Sequence, residues 1–150
     1  MSEYEEWMRR AIAEARLTAA SADVPIGAIV LDAAGNTLGA GHNERELSGD
    51  PTAHAELLAI RAAAASIGSW RLDDHTLVVT LEPCAMCAGA ILQSRIGRVV
   101  FGAWDEKAGA VGSVVDLLRE RRMPNRVEVV AGVLEAECAV LLREFFEARR

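Results

Sequence analysis

Thr76-Leu77-Val78-Val79-Thr80-Leu81-Glu82-Pro83-Cys84-Ala85-Met86-Cys87 changes from one kind of backbone to another within a dozen residues. Thr76 to Thr80, β-branched and uncharged, reads as a buried strand. Glu82-Pro83 prepares a turn, and Pro83 can take the first helical position, where its missing N–H costs no hydrogen bond. Cys84 and Cys87 then fall on the first turn of a helix that runs to about Ser94. Arg98 to Gly102 follows as a second β-branched strand. Two buried strands joined by a helix imply a crossover connection, and so parallel pairing.

On the N-terminal side, Tyr4, Trp7, Met8, Ala11, Ile12 and Ala15 recur at helical spacing, which predicts an amphipathic helix over 3–20. Pro25 opens a strand from Ile26 to Leu31, and Gly35-Asn36 turns it back into Thr37 to Asn43 as a hairpin. Glu44 to Pro51 reads as a polar loop. Asp50-Pro51-Thr52 offers a capping oxygen to a helix starting near Ala53, with Leu57, Ile60, Ala64 and Ile67 on its packed face and Gly68 as its stop. On the C-terminal side, Trp104 to Ser113 reads as a loop, Val114 to Arg121 as a short helix and Val127 to Ala131 as a last strand. A final helix over 135–148 places Cys138, Leu141, Leu142 and Phe145 on one face. The expected fold is α/β in three layers: a five-stranded mixed sheet, mostly parallel with one antiparallel hairpin, and helices on both faces.

The chain has 150 residues, 51% of them hydrophobic, which suits one core, so residues 1–150 are read as a single domain. A formal net charge of −6 argues against a strong non-specific nucleic-acid binder. Arg119, Arg121, Arg122 and Arg126, with Arg143, Arg149 and Arg150, form either a local basic face or plain solvated surface. No apolar run approaches the roughly 18 residues of a membrane helix, and the acidic, amphipathic start does not read as a signal peptide. A cytoplasmic protein with no membrane partner is expected.

Three cysteines, two of them in a Cys-x-x-Cys, point to metal or redox chemistry ahead of a disulfide framework. A catalytic zinc usually has three protein ligands and one open position. His54 at the start of one predicted helix, with Cys84 and Cys87 on the first turn of another, supplies such a set. Helix N-termini also favour thiolates. Glu56, two residues beyond His54, can lean toward the metal's water as a proton shuttle. The alternatives are a structural zinc clip, closed by Cys138, His42 or His75, and a redox pair. Cys138 falls on the apolar stripe of the last helix, while His42 and His75 sit in polar surroundings. Thiolate and imidazole accept iron as well as zinc.

His54-Ala55-Glu56 followed by Pro83-Cys84-Ala85-Met86-Cys87 matches the signature of zinc-dependent nucleobase deaminases. Asp50 to Glu56, Leu81 to Ala90 and Ser94 to Gly102 closely resemble bacterial tRNA adenosine deaminases, within the cytidine and deoxycytidylate deaminase superfamily. The resemblance implies a cytidine-deaminase-like fold and one zinc per subunit. The implied reaction converts the wobble adenosine of a tRNA anticodon loop to inosine, with zinc-activated water attacking C6. The implied assembly is a homodimer bound to the anticodon stem-loop, with no DNA partner. By the same resemblance Asn43 would hydrogen-bond the flipped nucleoside and Ile26 would line the base pocket. Asp105 and Lys107 would touch neighbouring nucleotides, and Phe145 would add a contact from the last helix. Trp104, where relatives suggest a smaller or charged residue, departs from the pattern. One rival is a guanine or cytosine deaminase acting on the free base, which needs a lid over the site. Another is a silent zinc module that binds RNA or protein, for which Glu56 has no use.

Overall fold

Both faces of β1 (Gly27–Leu31) and β3 (Thr76–Leu81) are covered, as their uninterrupted apolar sequences require. The computed structural model describes residues 2–150. Its remaining elements are α1 (Glu3–Arg16), which tightens into a 3-10 turn over Leu17–Ala20 where one helix over 3–20 was expected, β2 (Thr37–His42), α2 (Arg45–Ser48), α3 (Ala55–Ile67), α4 (Ala85–Gln93), β4 (Arg98–Ala103), β5 (Glu128–Val130) and α5 (Glu135–Glu147). The five strands form one mixed sheet in the order β2-β1-β3-β4-β5. α3 and α4 cover one face, and α1 and α5 cover the other.

The sheet is less parallel than expected. β3-β4 and β4-β5 are parallel, but β1 runs antiparallel to β3 as well as to β2. The hairpin docks through its first strand, so β1 opposes both neighbours. As a result the start of β1 and the ends of β2, β3 and β4 all meet at one edge of the sheet, with Gly27 opposite His42.

α3 packs chiefly through Ala55, Ala59 and Ala63; of the expected face, Ile60 packs partly against the core and Ile67 is exposed. The cause lies in β2. A Cβ on Gly39 would come 2.4 Å from Ala59 O, and one on Gly41 2.7 Å from Ala55 O. At the positions that face the strand, a helix seated this close can bury only alanine-sized side chains. α3 also begins later than expected, at Ala55, because Asp50 spends its carboxylate on Thr52, whose N and Oγ1 both donate to Oδ1 at 2.8 Å. Two further corrections concern short segments. Arg45–Ser48 is a turn of helix inside the expected polar loop. Val114 to Arg121 is not helical, because Gly112, Val114 and Leu117 donate their N–H groups to Val115, Gly109 and Ala110, which leaves no helical ladder.

α2 draws its N-terminal hydrogen bonds from Asp23, a buried carboxylate outside the helix. Glu46 N and Leu47 N donate to it at 2.5 and 3.1 Å, and Ser21 Oγ donates at 2.6 Å. Burial pushes this carboxyl up, but the three donors outweigh it and hold Asp23 below the usual carboxylate range. A depressed folded pKa gives stability that is present above the unfolded value of about 3.9 and lost as pH falls through the folded one.

Asp23→Asn is therefore expected to lower the urea midpoint at pH 7, with the gap to wild type closing below about pH 4; a gap unchanged at pH 3 contradicts this. Gly39→Ala is expected to cost about 1–3 kcal/mol by forcing α3 off the sheet, measured by the same unfolding.

Candidate active site

His54 and Cys84 occupy equivalent places: each is the residue before the first helical residue, His54 for α3 and Cys84 for α4. Both have extended backbone, and neither side chain caps its own helix. Cys87 follows in the first turn of α4. Because α3 and α4 lie side by side on one face of the sheet, the two helix starts converge beyond the strand ends, the usual place for a ligand in an α/β sheet. His54 Nδ1 lies 3.6 Å from Cys84 Sγ and 3.5 Å from Cys87 Sγ. The three ligand atoms fall within 4.8 Å of one another, and no other such group of three His, Cys, Asp or Glu donors occurs among the described residues.

The cluster shares protons because it cannot carry all its negative charges at once. A hydrogen bond from Cys87, helped by His54, holds the Cys84 thiol down to about 4. The same hydrogen bond, together with burial and the Glu56 carboxyl, drives the Cys87 thiol far up. His54 is raised, first by its hydrogen bond with Cys84. Burial, joined by the Cys84 charge, pushes Glu56 up to about 7. Two sulfurs facing one small gap can both be thiolates only if a cation replaces the protons between them. The donor set, two sulfurs and one imidazole nitrogen, fits a zinc ion with a position to spare.

The candidates for a fourth ligand are all elsewhere. Cys138 packs against β4 on the opposite face, where a Cβ on Gly102 would meet its Sγ at 2.4 Å. Burial pushes its thiol up to about 12. His42 faces Glu14 and Glu44, and His75 Nδ1 lies 2.7 Å from Asp73 O. Glu56 is buried at the second helical position of α3, beside the cluster.

A cleft of about 600 Å³ opens on this cluster. Ile26, Asn43, Asp105 and Lys107 line it together with His54, Glu56 and Cys84. Asn43 is already committed to the scaffold: its Nδ2 donates to Val24 O at 3.3 Å, and its Oδ1 accepts from Arg45 N at 3.1 Å. Asp105 Oδ1 accepts from the backbone of Lys107 and Ala108, closing the turn beneath Lys107. Phe145 does not line the cleft. It lies under the guanidinium of Arg149, and Leu142 and Phe146 supply the wall from α5. One step along a helix is about 100° of rotation, enough to exchange the two phenylalanines. The basic cluster is mostly engaged locally: Arg119 pairs with Asp116 and Arg122 with Glu120, while Arg126 donates to Arg121 O. The cation the sequence reading missed at the cleft is Arg45.

The sequence reading also missed Glu82. It is buried between β3 and Pro83, and the loop after β4 is built around its carboxylate. Asp105 N, Val111 N and Ser113 N donate to it at 3.0, 2.9 and 3.1 Å, and Ser113 Oγ at 2.5 Å. A Cβ on Gly109 would collide with this carboxylate at 2.3 Å. The loop is joined to the ligand turn by the bridge Cys84 to Gly109 and by Ala110 N donating to Pro83 O at 2.8 Å. One carboxylate therefore ties the cleft wall to the cysteine-bearing turn. The signal in sequence was an acidic residue directly before a proline that ends an apolar strand.

A three-ligand zinc set with a proton-holding carboxyl beside it is the equipment of a zinc-dependent hydrolytic deaminase. Residues 1–103 match the cytidine and deoxycytidylate deaminase zinc-binding region, and the chain belongs to that family. It is 46% identical over 150 residues to the tRNA-specific adenosine deaminase of Bacillus subtilis, covering 100% of this chain and 92% of that protein. A solved structure from a study of A-to-I editing by tRNA:A34 deaminases at the wobble position superposes with a TM-score of 0.86 at 39% identity, covering 91% of this chain and 99% of the other. The guanine deaminase of Nitrosomonas europaea superposes with a TM-score of 0.81 at 26% identity, covering 97% and 85%.

Gly109→Ala is expected to destabilise the protein by about 1–3 kcal/mol, and that cost should shrink in a Glu82→Ala background, where the clash is gone. A double-mutant cycle on urea unfolding measures the difference; purely additive costs contradict the packing described.

Proposed function

We propose that this chain hydrolyses the wobble adenosine of a tRNA anticodon loop to inosine, releasing ammonia. The observation that carries the reading is the make-up of one cleft. Two of the three ligands, His54 and Cys84, line it with buried Glu56, and Arg45, Asp105, Glu106, Lys107 and the exposed Trp104 line it as well. A free base has no phosphate to place, whereas an RNA loop brings phosphates that Arg45 and Lys107 can meet. The likeness to tRNA-specific adenosine deaminases over nearly their full length supports the same substrate.

His54, Cys84 and Cys87 would hold zinc, which when bound acts as a Lewis acid and lowers the pKa of water to about 7. Glu56, able to hold a proton near neutrality, would carry one proton of the attacking water to the ring nitrogen and then the second, left on the new hydroxyl, to the departing amine, so that ammonia leaves as the C6 carbonyl forms. Ile26 would pack on the extruded base. Asn43 keeps one amide N–H beyond its two scaffold bonds, and that donor would hold the nucleoside. Asp105, through its turn, would set the position of Lys107 near a phosphate, and Phe145 is a secondary contact for the stem-loop outside the cleft.

The same sheet carries every strand, which supports the whole chain acting as one domain. We infer a homodimer: Ala85 and Met86 on the outer side of α4 are exposed and apolar, a surface a second copy would cover. Among the described residues no helix is long and apolar enough to cross a membrane. A cytoplasmic location follows from the proposed substrate.

A second reading, a free guanine deaminase, draws support from the Nitrosomonas europaea likeness and from Leu142 and Phe146 reaching the cleft. Substrate competition separates the two. Zinc-loaded protein is offered an anticodon stem-loop with adenosine at the wobble position, then free adenine, cytosine and guanine. Inosine in the stem-loop alone is expected, and ammonia from a free base alone would overturn the substrate.

Glu56→Ala is expected to keep one zinc per chain by elemental analysis while losing about 10²- to 10⁴-fold or more in turnover. Cys87→Ala is expected to lose both the metal and thermal stability. Full turnover by Glu56→Ala contradicts the proton route.

A further inference from the structure

We propose that Trp104 is a stacking platform for a nucleobase adjacent to the target adenosine, opposed across the cleft by Phe146. The proposal rests on the RNA reading above and adds a subsite to it. Trp104 leads directly out of β4 into the Glu82-anchored loop, and its ring lines the same cleft as His54 and Glu56. It is 41% exposed, a large apolar surface left open beside a reaction site.

The ring is also held in place. It meets the ring of fully buried Phe101 edge to face, with centroids 4.9 Å apart and planes at 88°. On another side Gly112 fits against it so closely that a Cβ there would lie 3.2 Å from Cζ3. The next residue, Asp105, is fixed to Glu82 by its backbone N–H. A ring fixed before binding loses little conformational freedom when a base stacks on it.

The two aromatic residues come from opposite layers. Trp104 rests on Phe101, part of the core under α3 and α4, whereas Phe146 and Leu142 come from α5 on the other face. Phe146 is 53% exposed and lines the same cleft. Arg45 and Lys107 line that cleft too, with Asp105 and Glu106 preceding Lys107. Aromatic surface with Arg45 and Lys107 in the same cleft suits successive nucleotides of a single-stranded loop: bases have faces to stack and phosphates find charges to meet. Stacking reads no base edge, so the subsite should require a base without selecting which one.

The test uses the zinc-loaded full chain and three stem-loops: one intact, one abasic 5′ of the wobble adenosine and one abasic 3′ of it. Trp104→Ala is expected to raise KM for the intact stem-loop about 5- to 150-fold, the range of one base–aromatic stack, with kcat and zinc content near wild type. Trp104→Phe should recover most of the loss. One of the two abasic stem-loops should cost wild type a similar factor and cost Trp104→Ala nothing further. As a readout independent of turnover, the intact stem-loop should quench tryptophan emission in a Glu56→Ala background, and Trp104→Phe should remove that quench. Equal KM for wild type and Trp104→Ala, or an abasic penalty of the same size in both, overturns the subsite while leaving the RNA reading intact. No inosine in the intact stem-loop with wild type overturns the RNA reading, and the subsite with it.

Discussion

The close seating of α3 on β2 is the constraint on which the site depends. Gly39 and Gly41 remove side chains from the strand, alanines remove them from the helix, and backbone meets backbone. The N-terminus of α3 is thereby fixed above the edge of the sheet, in front of the N-terminus of α4. A gap of about one metal ion between His54 and the two cysteines is a distance between two helices, set by packing residues that never touch the ligand. Any loosening of α3 would move His54 and Glu56 together, since both belong to its first turn.

Electrostatics at that gap treat the sulfurs and the carboxyl differently. Both helix N-termini present the positive end of the helix dipole, and the Cys87 N–H points at the Cys84 sulfur, which stabilises that sulfur as an anion. Burial of Glu56 works the other way and favours its protonated form. The result is one thiolate, Cys84, and one thiol, Cys87, which gives up its proton only to a metal, beside a carboxyl that exchanges its proton near neutrality. Opposite environments a few residues apart give ligands and proton carrier their separate tasks.

Much of this was legible in sequence. The strand-turn-helix at Thr76 to Cys87 and the spacing of His54 and Glu56 carry their own local geometry, so the metal trio could be assembled before any tertiary contact was known. The packed face of α3 was misread because periodicity favours large apolar residues, and only the glycines of a strand in another part of the sequence explain why alanines win. Val114 to Arg121 was misread as helix because its apolar residues sit near helical spacing. The competing pull is from Gly109 and Ala110, whose carbonyls take the hydrogen bonds a helix would use. Phe145 and Phe146 are adjacent, and which one faces the cleft depends on how α5 is rotated against β4, fixed by Cys138 lying over Gly102. The sequence marked Glu82 only by its place before a strand-ending proline, because three of its four donors are backbone N–H groups, which any sequence supplies.

The most direct test of this account is zinc-edge X-ray absorption on the purified protein, since the central claim is that three side chains from two helix starts form one open metal site. The account predicts two sulfurs at about 2.3 Å and imidazole nitrogen at about 2.0 Å, with the remaining shell filled by a light atom that exchanges with solvent. A third sulfur, or a shell of nitrogen and oxygen alone, would contradict it.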